Sequence, residues 1–337
     1  MGGSRLRRRA SIWARGGFGG AGVRLAAVTA VLVAGSVGFL PVTGASAGAV
    51  PGGSGRAVWT TVFSDHFTGP AGSRVDSKWT YDTGTHYNGT SCPPAWGTGE
   101  VETDTSSTAN VHQDGHGHLL ITPVKKSGAW TSGRIETVSA RFAAPPGGQL
   151  KVTASIEQPA PASGLGYWPA FWMLGAGFRV SGAGTSGTMN CAKFPSVGEI
   201  DVLEDVNALS RHAGTLHCGT APNGPCHEFT GLTSKLQPCP GCQTGYHTYS
   251  VIINRTNTSS ESITWYLDGT AYFTVPESLV GTAAWQAAVD HGFFLLLDVA
   301  MGGAFPNAIC GTGCTTPTSA TTSGAAMGVQ YVTVSVR

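Results

Sequence analysis

Charged residues are scarce in this chain: Lys, Arg, Asp and Glu make up 12% of its 337 residues. Glu, Lys and Arg are strong helix formers, so their scarcity argues against a mainly helical protein. No apolar run after residue 47 is long enough to cross a bilayer, which excludes a membrane span in that part. The sequence also lacks internal repeats, which excludes a repeat architecture.

Glycine is abundant instead, at 49 residues, together with many Ser and Thr. This composition favours short strands joined by turns, and roughly 290 residues suit one large β domain or two small ones. Asp268-Gly269 predicts a hairpin turn, because both positions favour positive φ. One short helix is predicted near 281–289 and long loops at 175–197, 219–245 and 304–326. Strand-like segments recur at 118–122, 149–157, 167–174, 199–204, 214–217, 247–253, 262–267, 293–301 and 329–336. We therefore expect an all-β sandwich.

The first 47 residues resemble a secretory signal: six Arg and no acid, an apolar stretch from Leu25 to Leu40, then Ala45-Ser46-Ala47. A membrane anchor is the alternative, but the stretch is shorter than the roughly 20 residues a span needs. We expect cleavage after residue 47, a Gly-rich linker at 48–56 and a single domain at 57–337. Cleavage leaves 14 basic against 19 acidic residues, a net charge of about −5. We therefore expect a secreted monomer that binds neither nucleic acid nor membrane.

Eight cysteines in an exported chain predict four disulfides, of which Cys310 to Cys314 is a plausible local bridge. Their pairing is otherwise open. A zinc site is the alternative, because Cys-Pro-Gly-Cys has ligand spacing. The residues of that alternative are Cys218, Cys226, His227, Cys239 and Cys242.

The segment Gly-Glu-Ile-Asp-Val-Leu-Glu-Asp at 198–205 concentrates four of the 19 acids. In a regular strand Glu199 and Asp201 share one face, and Glu204 is out of phase. A one-residue bulge near Val202 or Leu203 would bring Glu204 onto the same face. Crowded carboxylates raise at least one pKa, as a retaining glycosidase requires of its acid. A solvated strand edge or a calcium site are the alternatives.

Aromatic residues strengthen the glycosidase hypothesis. Trp168 and Trp172 are four residues apart in a strand-like segment, so they share a face and could stack on sugar rings. Trp96 and Trp130 are weaker candidates for the same role. His217 ends a strand-like segment and could bond a carboxylate in a cleft, while core packing is the alternative for each of these side chains.

The acidic segment resembles the Glu-x-Asp-x-x-Glu signature of glycoside hydrolase family 16, the laminarinase-like group. The resemblance extends over about 280 residues, through FSDHFTGP, AWGTGEVET, SGRIET, GYWPAFWMLG, GTLHCG, YHTYSVIINR, ITWYLDGTAYFTV, FFLLLDVAMGGAFP and VQYVTVSVR. It implies a curved β-jelly-roll, similar to concanavalin A, with an open concave cleft for a polysaccharide. It further implies Glu199 as nucleophile, Asp201 as assisting residue and Glu204 as acid/base. Residues implied to bind sugar are Trp168, Trp172, Arg134, Glu100, His217 and Trp96.

Departures from the family pattern affect the cofactor expectation. Relatives bind a structural calcium, but His66 and Gln330 stand where acids are usual, so we expect no required cofactor and no metal. Asp298 stands where Asn is usual, and Thr98 replaces another Asn.

The resemblance implies a secreted retaining endo-glycosidase that acts on β-1,3 or mixed β-1,3/1,4 glucan. The alternatives are a non-catalytic glycan-binding module of the same fold, an enzyme acting on β-galactan, and a transglycosylase. Linkage, backbone sugar and endo or exo action are left open by the sequence.

Overall fold

A computed structural model describes residues 58–337. The expected signal at 1–47 and linker at 48–56 lie outside these residues, as does residue 57. Within the described part, no helix has the length and apolar character to cross a bilayer.

Short β-strands dominate the described chain, as the composition predicts. The strands are β1 (Thr60–Asp65), β2 (Trp79–Asp82), β3 (Gly89–Thr90), β4 (Thr103–Asp104), β5 (Val111–Gln113), β6 (Leu119–Ile121), β7 (Val124–Lys126), β8 (Ala129–Ser132), β9 (Arg134–Thr137), β10 (Gln149–Glu157), β11 (Tyr167–Gly175), β12 (Arg179–Ser181), β13 (Thr188–Asn190), β14 (Glu199–Glu204), β15 (Arg211–His217), β16 (Leu232–Thr233), β17 (Gln237–Pro238), β18 (His247–Asn254), β19 (Ser262–Leu267), β20 (Thr270–Pro276), β21 (Phe293–Met301) and β22 (Met327–Val336). The helices are α1 (Glu277–Val280), α2 (Thr282–Val289) and α3 (Ala304–Cys310), with 3-10 turns at Ala95–Gly97, Ala176–Phe178, Gly184–Ser186 and Cys191–Lys193.

Two eight-stranded sheets form the sandwich. Sheet A has the order β20-β19-β18-β10-β22-β6-β5, with β1 also paired to β22. Sheet B has the order β16-β15-β14-β11-β21-β9-β2, with β17 also paired to β15. All pairings in both sheets are antiparallel, and this is the jelly-roll sandwich that the sequence predicts.

Side-chain alternation along β11 determines which face of sheet B carries polar residues. Phe171 and Met173 pack into the main core between the sheets, with Val152 and Val332 of sheet A. Trp172 and Leu174 belong instead to a separate apolar cluster. Because alternate residues of a strand point to opposite faces, this second cluster marks the outer face of sheet B. The predicted candidate residues lie on that outer face.

Local predictions are confirmed in part. Asp268 and Gly269 have φ of 49° and 76°, as a tight hairpin between β19 and β20 requires. The short helix near 281–289 is α2. The three loop predictions are too simple: 175–197 contains β12 and β13, 219–245 contains β16 and β17, and 304–326 begins with α3. These elements are two to seven residues long, too short for a periodic pattern.

All eight cysteines are paired, as predicted. The disulfides are Cys92–Cys191, Cys218–Cys226, Cys239–Cys242 and Cys310–Cys314. The zinc alternative is therefore wrong in this structure, because its four cysteines form two disulfides and offer no thiolate. Trp130 is also not a sugar platform: it is 5% exposed and packs in the main core.

Candidate active site

A β-bulge in β14 brings the three acids of the signature onto one face. Against β11, Ala170 faces Glu204 and Phe171 faces Leu203, but Trp172 faces Asp201, so Val202 is the extra residue. The register against β15 shifts over the same interval. The predicted bulge is thus confirmed, and it turns Glu204 to the side of Glu199 and Asp201.

The three carboxylates compete for protons. Burial raises the pKa of Glu199 to about 7, against the opposing charge of His217. Burial, with the charges of Glu204 and Glu199, raises the pKa of Asp201 well above its usual range. Burial also raises the pKa of Glu204, while His217 and hydrogen bonds from Trp168 and Thr215 oppose the rise. The row therefore retains protons near neutral pH, because its members disfavour simultaneous ionisation.

His217, on the neighbouring strand β15, is the cross-strand partner of Glu199. Its Nε2 lies 3.5 Å from Asp201 Oδ2, and its Nδ1 lies 2.8 Å from Glu228 Oε2. One carboxylate oxygen of Glu199, one of Asp201 and one ring nitrogen of His217 all lie within 4.8 Å of one another. His217 thus belongs to the carboxylate row, as the sequence predicts.

Trp168 contacts the other end of the row. Its Nε1 donates a 2.9 Å hydrogen bond to Glu204 Oε1, and its ring packs edge-on against Phe305 at 5.8 Å. Gly303 lies beside it with φ of 93°, where a Cβ would be 3.3 Å from both Trp168 Cζ3 and Glu100 Cγ. Glycine at this position therefore lets Trp168 and Glu100 approach the same point of the site.

Arg134, on β9, is enclosed by aromatic rings. Its guanidinium carbon lies 4.3 Å from the ring centre of Trp96, 4.8 Å from Trp172 and 5.4 Å from Tyr87. Its Nε lies 3.4 Å from Asp82 Oδ2. Trp172 is 9% exposed, so it acts chiefly as a wall for Arg134 and offers little free ring surface.

Successive cross-strand partners connect these groups across sheet B. Glu204 pairs with Ala170, Ala170 with Asp298, and Asp298 with Arg134. Asp298 Oδ1 accepts a 2.7 Å hydrogen bond from Trp172 Nε1. Burial raises the pKa of Asp298 to about 7, with Arg134 opposing the rise. Together these cross-strand partners form a strip, polar except at Ala170, that runs from the acids to Arg134.

Glu100 lies at the edge of this strip. It bridges to Gly302, just beyond β21, and its charge contributes to the raised pKa of Asp298. Its Oε1 accepts a hydrogen bond from Thr98, and its side chain is also a hydrogen-bond partner of Glu102, whose pKa burial and the charge of Glu100 raise well above the usual range. All nine predicted site residues therefore lie on one face of sheet B or its rim.

Two groups within residues 58–337 bring potential metal ligands together: Glu199 with Asp201 and His217, and Cys239 with Cys242 and His247. The cysteines of the second group form a disulfide. At the two positions where the resemblance implies calcium-binding acids, this chain has His66 and Gln330. Gln330 Oε1 accepts from Ser155, and the Asp65 carboxylate accepts from Trp79 Nε1 and Phe67 N. Neither His66 nor Gln330 offers a carboxylate to a hard cation.

Sequence reasoning missed several acids of the site. Glu228 lies in the cysteine-bearing segment after β15, and Asp82 and Asp104 lie in short strands. Burial raises the pKa of both Asp82 and Asp104 well above the usual range. From the sequence, Asp298 is notable only because Asn is usual at this position in the family pattern. A search for acids flanked by apolar residues would have found Asp298, but nothing in the sequence points to Glu228.

Solved structures and curated proteins resemble this chain over most of its length. An endo-1,3-β-glucanase from Streptomyces sioyaensis is 46% identical in sequence, with a TM-score of 0.75, covering 86% of this chain and 99% of the other. Glucan endo-1,3-β-glucosidase A1 of Niallia circulans is 30% identical over 291 residues, and a β-glucanase of Rhodothermus marinus is 29% identical over 255.

Coverage of these relatives is uneven. The aligned regions cover 81% and 73% of this chain, but 37% of the Niallia protein and 77% of the Rhodothermus protein. No family model matches the chain.

Proposed function

Because this chain belongs to glycoside hydrolase family 16, in its laminarinase-like group, we propose that it cleaves internal bonds of a β-1,3-glucan or mixed β-1,3/1,4-glucan. The observation that carries the proposal is the bulge in β14, which aligns Glu199, Asp201 and Glu204 on the outer face of sheet B. A binding module of the same fold has no need for three coupled acids.

The proposed reaction is a retaining double displacement. Glu199, ionised, attacks the anomeric carbon while Glu204, protonated, gives its proton to the leaving oxygen. Glu204 then removes a proton from water as the water oxygen attacks the anomeric carbon and the bond to the Glu199 carboxylate breaks, so the sugar leaves with its original anomeric configuration. Asp201 lies between them and retains a proton, so it can donate a hydrogen bond to Glu199 and stabilise the carboxylate.

Substrate binding follows from the polar strip beside the acids. Glu100, Asp298 and Arg134 offer charged and hydrogen-bonding groups to sugar hydroxyls on the side of β21 and β9. Trp168 is only partly buried and lies against Glu204, where its indole can stack on a sugar ring. A polysaccharide is therefore the proposed partner.

Export is part of the proposal. The arginine-rich, apolar amino-terminal segment and four disulfides support a secreted enzyme. We further propose that the enzyme is a monomer with no required cofactor, since the chemistry uses only carboxylates of this chain.

The test is to incubate purified protein with laminarin, mixed-linkage glucan and β-galactan and to separate the products by size. We expect oligosaccharides of several lengths from the first two, and none from Glu199→Gln, which should still bind glucan. Proton NMR of fresh product should show the β anomer first. Binding without cleavage by the unmodified protein would indicate a glycan-binding module, and initial release of the α anomer would refute the retaining mechanism.

Action on β-galactan has one observation in its favour: a keratan-sulfate endo-1,4-β-galactosidase of Sphingobacterium multivorum is 29% identical over 163 residues. That match covers 48% of this chain, against 81% for the Niallia glucosidase, so glucan is the preferred substrate. Products longer than the substrate would instead reveal transglycosylation.

A further inference from the structure

The segment from Cys218 to Glu228 returns to the carboxylate row. It begins directly after β15, is closed by the Cys218–Cys226 disulfide, and ends where Asn223 and Glu228 exchange two backbone hydrogen bonds. Gly231 then passes behind His217, where a Cβ would lie 2.9 Å from His217 Cε1. The segment is therefore tied covalently and by its backbone beside the site.

Glu228 is buried there, with 4% of its surface exposed, and both of its oxygens accept hydrogen bonds. Oε1 accepts from the backbone N–H of Cys218 at 2.8 Å, and Oε2 lies 2.8 Å from His217 Nδ1. A carboxylate in this position makes Nδ1 the donor and fixes the orientation of the ring. The oxygens of Glu228 bond His217 and Cys218 and not the row, but its negative charge also contributes to the raised pKa of Glu199 and Asp201.

The opposite ring nitrogen faces the acids. His217 Nε2 lies 3.5 Å from Asp201 Oδ2, an oxygen that has no hydrogen-bond partner among the described residues. Burial lowers the pKa of His217, but the hydrogen bond with Glu228 and the surrounding negative charges outweigh burial and raise it overall. The charged groups that face His217 are Glu199, Asp201 and Glu204 on β14 and Glu228 in the loop.

We propose that Glu228 is a positioning residue that keeps His217 a cation beside the row and thereby determines how many of the three carboxylates ionise. The inference rests on the proposed hydrolase function. The positive charge of His217 opposes the rise in pKa at both Glu199 and Glu204. Without Glu228, His217 loses its proton more easily. Because the charge of His217 acts on the pKa of Glu199 more strongly than the charge of Glu228 does, Glu199 then remains protonated to higher pH.

The test compares unmodified protein with Glu228→Gln, which retains the size of the side chain and removes its charge. Two-bond proton–nitrogen NMR of the imidazole, assigned with His217→Asn, gives the pKa of His217 directly. We expect a value above 6.5 in the unmodified protein and a lower value in the variant, which lacks the charge of Glu228. The acidic limb of kcat/KM should move to higher pH, with little change in KM.

The matched control is Glu261→Gln, which neutralises a buried glutamate that pairs with Arg255 and Trp285. It should leave the His217 titration and the pH profile unchanged. The proposal is overturned if His217 titrates at or below 6.5 in the unmodified protein, a reading that stands even if Glu228→Gln does not fold. It is also overturned if Glu228→Gln shifts neither the titration of His217 nor the acidic limb of kcat/KM. Absence of hydrolysis with a high His217 pKa would refute the hydrolase function alone.

Discussion

Two buried clusters of acids in this protein differ in how their oxygens are used. Around Glu261, Oε1 accepts from Arg255 Nε and Oε2 accepts from Trp285 Nε1, at 2.8 and 2.9 Å. Arg255 also donates to Asp290 and to the Ala144 carbonyl. In the row on β14, Asp201 Oδ2 has no hydrogen-bond partner among residues 58–337, and no arginine forms an ion pair with the row.

This contrast in hydrogen bonding indicates which cluster stabilises the fold. A buried carboxylate that is fully hydrogen-bonded to a cation supports the native state, whereas a crowded, incompletely bonded one opposes it. The Glu261 cluster links the start of β19, α2 and the segment after β18, and it shares no hydrogen bond with the acids of the signature within residues 58–337. We therefore expect substitutions in the two clusters to have opposite effects on stability and activity.

Glu204→Gln should produce the largest effect on turnover. Loss of general acid catalysis should lower kcat on glucan by about 10²- to 10⁴-fold. An aryl laminari-oligosaccharide with an activated leaving group needs no protonation, so its glycosylation step should be affected far less. The ratio kcat/KM, which reports the glycosylation step, checks this on both substrates, and an equal loss of kcat/KM on both would argue against Glu204 as the acid.

Glu261→Ala should leave turnover per folded molecule intact while it destabilises the protein. Removing this partner leaves Arg255 with Asp290 as its remaining carboxylate and leaves Trp285 Nε1 without its acceptor, which should cost about 3–5 kcal/mol of unfolding free energy. Denaturant titration followed by tryptophan fluorescence measures the loss. An unchanged midpoint would show that the cluster contributes little to stability.

Asp201→Asn should stabilise the protein and lower its activity. The folded-state pKa of Asp201 is raised, so ionisation favours the unfolded chain, and this penalty grows as pH rises above the unfolded value of about 3.9. The amide avoids the penalty and should gain about 0.5–2 kcal/mol at pH 7. Denaturant titrations at pH 4 and pH 7 should show a smaller gain at pH 4; a gain independent of pH would contradict the explanation.

Asp298→Asn should have the smallest effect. An amide oxygen can still accept from Trp172, so fold and kcat should persist, and KM should change by less than about tenfold, the worth of one hydrogen bond. The pKa of Asp298 is about 7, so ionisation as pH rises through 7 should make KM pH-dependent in the unmodified protein. In Asp298→Asn, KM measured from pH 6 to 8 should no longer show the pH dependence that this ionisation causes. An identical profile would exclude Asp298 from binding.

Local patterns made much of the site predictable. Glu199 and Asp201 are in phase and Glu204 is out of phase, so a bulge was the only local way to align them on one strand face. The even spacing of Trp168 and Trp172 correctly predicts a shared face, because β11 pairs with β21 without a register shift. The hairpin at Asp268-Gly269 is likewise predictable from the turn preferences of these two residues alone.

Long-range contacts account for what the sequence did not predict. Glu228 reaches His217 only because the Cys218–Cys226 disulfide and the pairing with Asn223 turn the chain back. Asp82 meets Arg134 through the register of β2 with β9, which depends on sheet assembly. Neither contact leaves a periodic signal, and an irregular segment between cysteines has no side-chain alternation to interpret.

The Cys92–Cys191 bridge joins positions 99 residues apart and packs, with nearby Trp96, against the apolar cluster on the outer face of sheet B. Closing a loop of that length restricts the unfolded chain by about 4.7 kcal/mol in the entropic account. The bridge packs in the same cluster as Trp96, whose ring lies against Arg134. Protein that lacks this one bridge should therefore assemble its sheets and its carboxylates but bind the sugar chain more weakly.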